Sequence, residues 1–312
     1  MVSHIIESLP QEVDKVILAV NYRKDQIEKY LKEKNYDIEI IVNDEPKPLG
    51  TGGATKFAEK HITGRFLVLN SDIISSLNLS DMIRFHEEKK AITTISLWPV
   101  ENVSEFGVAD VGEDGKIIGF VEKPKAEDAP SDLINAGAYV LEPMILDYIE
   151  TGKLVSMEKE IFPKIIKDTD RFYGFKFDGY WMDIGRISSY LNVHEFLLDK
   201  KNMNSLIGEN NEIKGELEKS TIGNNVCIGE KCMLEKTIVF DNVQIKDGAK
   251  LCNCVIGENT LIGASSDIKD SVIGDNEKIN EKTCLDSKIV WNQEIPKGYP
   301  NKQIGNVINE KK

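Results

Sequence analysis

The strongest constraint on this chain is a run of thirteen aliphatic positions in its last third. Ile222, Ile228, Leu234, Val239, Ile245, Leu251, Ile256, Ile262, Ile268, Ile273, Ile279, Leu285 and Val290 are spaced 6, 6 and 5 residues apart, which gives a period of 17. Glycine follows the aliphatic residue at Gly223, Gly229, Gly257, Gly263 and Gly274. Neither a helix of period 3.6 nor a strand of period 2 holds such a spacing. A coil with three short faces does, because an inward residue recurs every five or six positions on successive faces and stacked coils align residues one full period apart. The run therefore predicts a parallel β-helix of hexapeptide repeats.

The same register explains two of the five cysteines. Cys232 and Cys254 stand two residues before an aliphatic position, a slot shared with Val226, Thr237, Val243, Ala249, Thr260 and Ser266. The slot takes small side chains, so packing is favoured over a zinc site at Cys252-x-Cys254, which has no second pair or histidine nearby. The four histidines are His4, His61, His86 and His194, and none falls in the repeat. Acyl transfer, which would need a general base there, is disfavoured. A scaffold or oligomerisation role is expected instead.

Upstream, to about residue 200, the pattern alternates. Strands are expected at 15–20, 38–42, 65–70 and 92–98, with helices near 22–32, 54–61 and 81–89 and N-caps at Asn21 and Ser80. A helix containing Ile5, Ile6 and Leu9 precedes the first strand. Strands without polar alternation, separated by helices, indicate a mostly parallel sheet. From Gly107 the texture turns to hairpins: GVADVGEDGKIIGFVEKP has Glu113-Asp114-Gly115 as its turn. INAGAYVLEP reads as a strand, MEKEIFPKII as a helix, FYGFKFDGYWMDI as extended and ISSYLNVHEFLLDK as a closing amphipathic helix. The expected domains are 1–200 and 205–295, with a C-terminal tail over 296–312.

Length and charge narrow the function classes. The 312 residues suffice for one α/β domain plus the repeat, and 41% hydrophobic with 29% charged residues is ordinary for a globular chain. A net charge of −13 argues against nucleic-acid and anionic-membrane partners. No apolar run is long enough to span a bilayer, and no signal-peptide pattern opens the chain. Reduced cysteines in the cytoplasm are expected.

Several short stretches carry candidate chemistry. In NDEPKPLGTGGATKFAEK, Gly50, Gly52 and Gly53 permit close backbone approach at a helix N-terminus, although a ligand-free glycine turn reads equally well. In RFLVLNSDI, Asp72 follows the C-terminal end of a buried strand, where α/β sheets bind ligands; a helix cap is the plainer alternative. Asp183 ends FDGYWMDIG, and two carboxylates from separate strand ends suit a shared Mg²⁺. In FVEKP, Glu122 is an acceptor for sugar hydroxyls and Lys123 a point charge for phosphate, set against a solvated surface pair.

Taken in order, PLGTGGA, LNSD, FGVADV, GFVEKP, INAGAYVL, SMEKEIFP and GYWMDIG followed by a hexapeptide β-helix resemble the sugar-1-phosphate nucleotidylyltransferases. SMEKEIFPKI with FDGYWMDIG is most similar to the mannose-1-phosphate guanylyltransferase branch. The resemblance covers residues 1 to about 295. It implies a Rossmann-like nucleotidyltransferase domain, with a mixed, mostly parallel sheet, followed by a left-handed parallel β-helix. It also implies a reaction: a sugar 1-phosphate attacks the α-phosphate of a nucleoside triphosphate, releasing pyrophosphate and an NDP-sugar. Residue by residue, Asp72 and Asp183 match the Mg²⁺ ligands. Lys123 matches the residue holding the sugar phosphate, and Gly107, Glu122, Asn135 and Gly137 line the sugar site. The Gly50–Gly53 turn would lie against the base. GTP and mannose 1-phosphate are the expected substrates, and the β-helix implies a homo-oligomer.

One part of the family pattern has no counterpart. The family begins with a strand and a G-x-G-T-R loop with a Lys-Pro pair further on, which wraps the triphosphate, and Met1 aligns after it. A start assigned too late or a shortened chain is the favoured expectation; a loop supplied by a second chain is less favoured. Without that strand, unpaired backbone and an apolar gap are expected in the sheet. Without that loop, a charge-stabilising contribution of roughly 10²–10³ in rate per donor would be missing. The alternative function is a non-catalytic regulatory homologue that binds NDP-sugar and partners an active subunit.

Overall fold

The computed structural model describes residues 1–291 and the strand Val307–Ile308. They fall into two compact units that divide between Met182 and Asp183. The rest of the expected 296–312 tail lies outside the described residues.

The first unit opens with α1 (Val2–Glu7), where only Ile6 of the expected apolar face is buried. β1 (Lys15–Val20), α2 (Lys24–Lys34) and β2 (Glu39–Asp44) follow as a βαβ element. β1 and β2 are parallel, in register from Lys15 opposite Glu39 to Val20 opposite Asp44. The residue before α2 is Arg23, in a left-handed conformation, rather than Asn21. The Asn21 amide donates instead to the Glu45 carbonyl at 3.0 Å, tying the C-terminal ends of the two strands together.

α3 (Gly50–Phe57), β3 (Phe66–Leu69), β4 (Ile73–Ser75) and α4 (Leu79–Glu88) come next. Asn78, not Ser80, caps α4: its side chain accepts the Asp81 N–H at 3.2 Å. Either residue type can cap. Asn78 is the one with extended dihedrals at the helix boundary, which leaves Ser80 inside the first turn.

β5 (Thr93–Pro99), β6 (Gly107–Val111), β7 (Ile117–Glu122), β8 (Leu133–Leu141), α5 (Phe162–Asp168) and β9 (Phe172–Lys176) complete the main sheet. Its order is β7-β6-β8-β5-β9, with β3 also on β8. The sheet is mixed, but its parallel share is smaller than the alternating pattern suggests. β5–β9 is parallel, whereas β3–β8, β5–β8, β6–β8 and β6–β7 are antiparallel. Burial on both faces, which makes β5 read as a parallel strand, reflects cover by helices and says nothing of direction. Among the described residues β1 pairs only with β2 and β3 only with β8. Val16, Ile17 and Leu18 of β1 and all four residues of β3 are accordingly only half-buried.

Aromatic rings fill the space under this sheet. Phe162 packs edge-on against Tyr139 at 5.3 Å and Phe120 at 5.4 Å, and lies 5.2 Å from Phe172. The expected single helix at MEKEIFPKII is a π-helical turn over Met157–Ile161 running into α5. Pro163, in the first turn of α5, accounts for this, because it has no N–H to give the turn before it. β4 pairs with β10 (Trp181–Asp183), the strand that reaches the unit boundary.

The second unit contains α6 (Ile187–Lys200) and a solenoid whose strands lie in one sheet of seven and two of five. Among the described residues every inter-coil pairing is parallel, and from Thr221 to Val290 the register advances by the expected 17, as in Thr221 opposite Ile238 and Ile238 opposite Val255. The first coil is two residues shorter on two faces, with Leu206 opposite Thr221 and Glu212 opposite Cys227. The aliphatic columns form one core, joined by Val226, Cys232, Val243, Ala249 and Cys254 from the small slot. Cys232 donates its thiol to the Lys246 carbonyl at 3.1 Å, and burial pushes the Cys254 thiol up to about 12. Both are packing residues. Asn225, Asn242, Asn259 and Asn276 stack at the corners with φ of 55°, 60°, 56° and 61°, a conformation that asparagine tolerates better than most residues. α6 reaches the second coil, where His194 Nε2 is 2.8 Å from Thr221 Oγ1. No helix among the described residues is long and apolar enough to cross a membrane.

Candidate active site

The Gly50–Gly53 turn opens α3, and the close approach its glycines permit is to the chain's own backbone. A Cβ on Gly50 would lie 2.6 Å from the Val155 carbonyl oxygen, and one on Gly53 would lie 2.5 Å from that of Lys153. The Gly52 and Gly53 N–H groups both donate to Val155 O, at 2.9 and 3.2 Å. The segment Lys153–Met157 is thus laid across the start of α3. Thr51 extends the link, because its hydroxyl accepts the Met157 N–H at 2.9 Å and donates to Glu158 Oε2 at 2.8 Å.

Glu158 gathers the site. Its carboxylate also accepts Ser156 Oγ at 2.7 Å and Tyr139 Oη at 3.2 Å. Tyr139 is fully buried; burial, with Glu158 nearby, pushes its phenol well above the ordinary range. The Tyr139 oxygen in turn accepts Asn135 Nδ2 at 2.8 Å, and Asn135 Oδ1 accepts the Gly137 N–H at 3.1 Å. Gly137, at φ +79°, lets β8 pass against β4: a Cβ there would meet Ile73 Cδ1 at 2.3 Å and Asn70 Nδ2 at 2.9 Å.

The hairpin supplies the remaining wall. Gly107 lies opposite Glu122 in the β6–β7 ladder, and a Cβ on Gly107 would sit 2.7 Å from Glu122 Oε2. The glycine keeps that carboxylate open. Burial first, then the Glu158 charge, pushes the Glu122 carboxyl up, while Lys123 and Lys159 pull it back. Two carboxylates and two ammonium groups therefore act on one place. Lys123 itself is exposed, at φ +51°, with its N–H fixed on Phe106 O at 2.9 Å.

Asp72 is exposed and stands immediately before β4, and Asp183 is the last residue of β10, the pairing partner of β4. Asp183 Oδ1 accepts the Gly185 N–H at 2.6 Å. Among the described residues no group of three or more His, Cys, Asp or Glu side chains has the arrangement of a protein-only metal cage.

The sequence reading missed Glu158, Tyr139 and Glu45. Glu158 was present in the quoted SMEKEIFP stretch, but its role depends on hydroxyls from two distant segments, which no local signal announces. Glu45 is only 7% exposed, its carboxyl pushed up by burial, and it accepts the Leu49 N–H at 3.3 Å beside the glycine turn. Asn43, two residues before it on the same side of the strand, has a buried Nδ2 with no hydrogen-bond partner among the described residues. The sequence offered only an Asn-x-Glu pair ahead of the glycine turn, and the burial that singles it out belongs to the fold.

These features coincide with a family pattern. Residues 1–200 match the nucleotidyl transferase family and residues 202–311 the GMPPB C-terminal domain. The chain belongs to the nucleotidyl transferase family. It is 37% identical over 242 residues to mannose-1-phosphate guanylyltransferase 1 of Arabidopsis thaliana, covering 73% of this chain and 66% of that one. It is 39% identical over 198 residues to the mannose-1-phosphate guanylyltransferase catalytic subunit beta of Dictyostelium discoideum, covering 62% and 54%. The chain thus spans two thirds or less of the length of these nucleotidyl transferase relatives. Among solved structures, HddC from Yersinia pseudotuberculosis complexed with GMP-PN superposes with a TM-score of 0.52 at 28% identity, covering 63% of this chain and 83% of HddC.

Proposed function

We propose that this nucleotidyl transferase is a sugar-1-phosphate nucleotidylyltransferase that makes an NDP-sugar and pyrophosphate, with GTP and mannose 1-phosphate as its substrates. The observation that carries the reading is the convergence of Glu122, Glu158 and Asn135 beside the lysines Lys123 and Lys159. The Glu122 carboxylate with the Asn135 amide suits sugar hydroxyls, exposed ammonium groups suit a phosphate, and Glu158 is occupied by hydroxyls of the chain itself. The relatives named as mannose-1-phosphate guanylyltransferases point to the same pair of substrates.

In this reading a phosphate oxygen of the sugar 1-phosphate attacks the α-phosphorus, and pyrophosphate leaves from the opposite side. The chain's part is alignment and charge neutralisation. Glu122 and Asn135 fix the sugar, and Lys123 holds its phosphate near the attacked phosphorus. The donor set of Asp72 and Asp183, two hard oxygen ligands at neighbouring strand ends, fits a Mg²⁺ completed by substrate phosphates. That ion would screen the phosphate charge. Glu45 favours guanine, since its carboxylate is an acceptor for the N1–H and the exocyclic amine of that base. Five free thiols suit a reducing cytoplasm, and the solenoid is the proposed surface for homo-oligomer assembly.

The test is pyrophosphate release from GTP and mannose 1-phosphate with Mg²⁺. Asp72→Asn and Asp183→Asn are expected to abolish it, and Glu45→Gln to weaken the preference for GTP over UTP. Binding of GDP-mannose by the wild-type chain without turnover would favour the regulatory reading; turnover unchanged in both aspartate variants would refute the metal assignment.

A further inference from the structure

Glu158 touches neither half of the candidate site alone. Its Oε2 accepts hydroxyls from Thr51, in the turn that opens α3, and from Ser156. Its Oε1 accepts the hydroxyl of Tyr139, which carries Asn135. An ionised carboxylate is an acceptor only, so it sets the direction of every proton in this chain of bonds. Thr51 must donate to it, which leaves the Thr51 oxygen free to accept the Met157 N–H. Tyr139 must donate to it, which leaves the phenol oxygen to accept from Asn135 Nδ2. The Asn135 amide is thereby held in one of its two flips, with Oδ1 on the Gly137 N–H and its second Nδ2 hydrogen available to a ligand.

We propose that Glu158 is a positioning residue that couples the nucleotide-side turn at Thr51 to the sugar-side amide of Asn135 through the buried Tyr139 hydroxyl. The inference rests on the function proposed above. It goes beyond it by assigning the rigidity of both half-sites to one carboxylate that contacts neither substrate. Coupling of this kind works because the polar atoms involved have few alternatives: Tyr139 is fully buried, and a donor left without an acceptor there costs about 1–3 kcal/mol.

The isosteric variant Glu158→Gln is informative. Its amide oxygen serves the Thr51 and Ser156 hydroxyls, so its amide nitrogen faces Tyr139. The phenol oxygen then meets two N–H donors, while its own proton has no acceptor. Asn135 loses its fixed orientation, and the turn keeps its bonds. Tyr139→Phe removes the same link from the other end and leaves the ring packed on Phe162.

The experiment is calorimetric titration of the full chain with GMP, which reads the nucleotide half, and with GDP-mannose, which reads both halves. Each single variant is expected to bind GDP-mannose about tenfold more weakly, a change of about 1.4 kcal/mol, with GMP affinity kept within about twofold. The Tyr139→Phe/Glu158→Gln double variant is expected to lose no more than either single one. Equal losses for the two ligands, losses that multiply in the double variant, or no loss at all overturn the positioning role. A wild-type chain that binds neither ligand overturns the functional reading, and the positioning role with it. Thermal unfolding of each variant separates these outcomes from a failure to fold.

Discussion

The solenoid and the N-terminal unit bury their apolar side chains over very different sequence distances. In the solenoid each strand is paired with the strand one coil away, as Ile245 opposite Ile262 and Ile262 opposite Ile279. In the N-terminal unit Thr93 on β5 faces Leu141 on one side and Phe172 on the other. Coil after coil of the solenoid meets the same demand, so the demand is printed in the sequence as a period. Each position of the main sheet meets a demand of its own, set by segments far away. Repetition makes a fold legible, whereas a site of non-repeating polar partners depends on long-range closure.

This contrast can be broken at several points, beginning with the largest expected effect. Ile262→Asp puts a carboxylate into the fully buried column and is expected to destabilise the solenoid by at least ~5 kcal/mol. Limited proteolysis should then cut the coils around it, and a protected solenoid would show that the column tolerates charge. Phe162→Ala removes the ring shared by Tyr139, Phe120 and Phe172, with an expected loss of about 3–5 kcal/mol in chemical denaturation. A loss below about 1 kcal/mol would mean that the cluster collapses into the vacated space.

Gly53→Ala is a smaller and sharper probe. Its methyl group would lie 2.5 Å from Lys153 O and 2.9 Å from Leu49 Cβ, so backbone must move, at a cost of about 1–3 kcal/mol. Weakened GMP binding with stability unchanged would instead place the demand for glycine on the ligand side.

The smallest effect is a pH slope from His86. The ring is fully buried, with Nδ1 2.8 Å from Thr94 Oγ1 and Nε2 3.3 Å from Glu142 Oε1. Burial lowers its pKa below the ordinary 6.5, against the pull of Glu142. The unfolded chain therefore takes up the proton first. The stability contributed by neutral His86 is complete above 6.5 and falls as pH drops through and below that value. The expected slope is no more than about 1.4 kcal/mol per pH unit. Comparing denaturant midpoints at about pH 7.5 and about pH 5.5 should show it, and His86→Gln should flatten it.

Legibility followed the same divide inside the site. Gly107 was named beside Glu122 by the family resemblance alone, and the hairpin ladder of the structure sets the two face to face. Asn135 and Gly137 were likewise named by the resemblance, through the stretch INAGAYVL. Thr51, Tyr139 and Glu158 escaped, since hydroxyls aimed at one carboxylate from 107 and 19 residues away leave no local mark. The α4 cap was displaced by two residues because Asn78 and Ser80 are both competent caps, and only the packed helix chooses.

By itself the sequence determined the solenoid, its register, the packing role of Cys232 and Cys254, and the alternation of the first unit. It could do so because burial at a fixed period selects residue types at that period. Only the tertiary structure decided that β8 runs antiparallel between β5 and β6, that the glycines of α3 yield to Val155, and that Glu158 joins the two halves of the candidate site. Strand direction and hydrogen-bond partnership depend on which segments meet in space, and residue types alone do not carry that information.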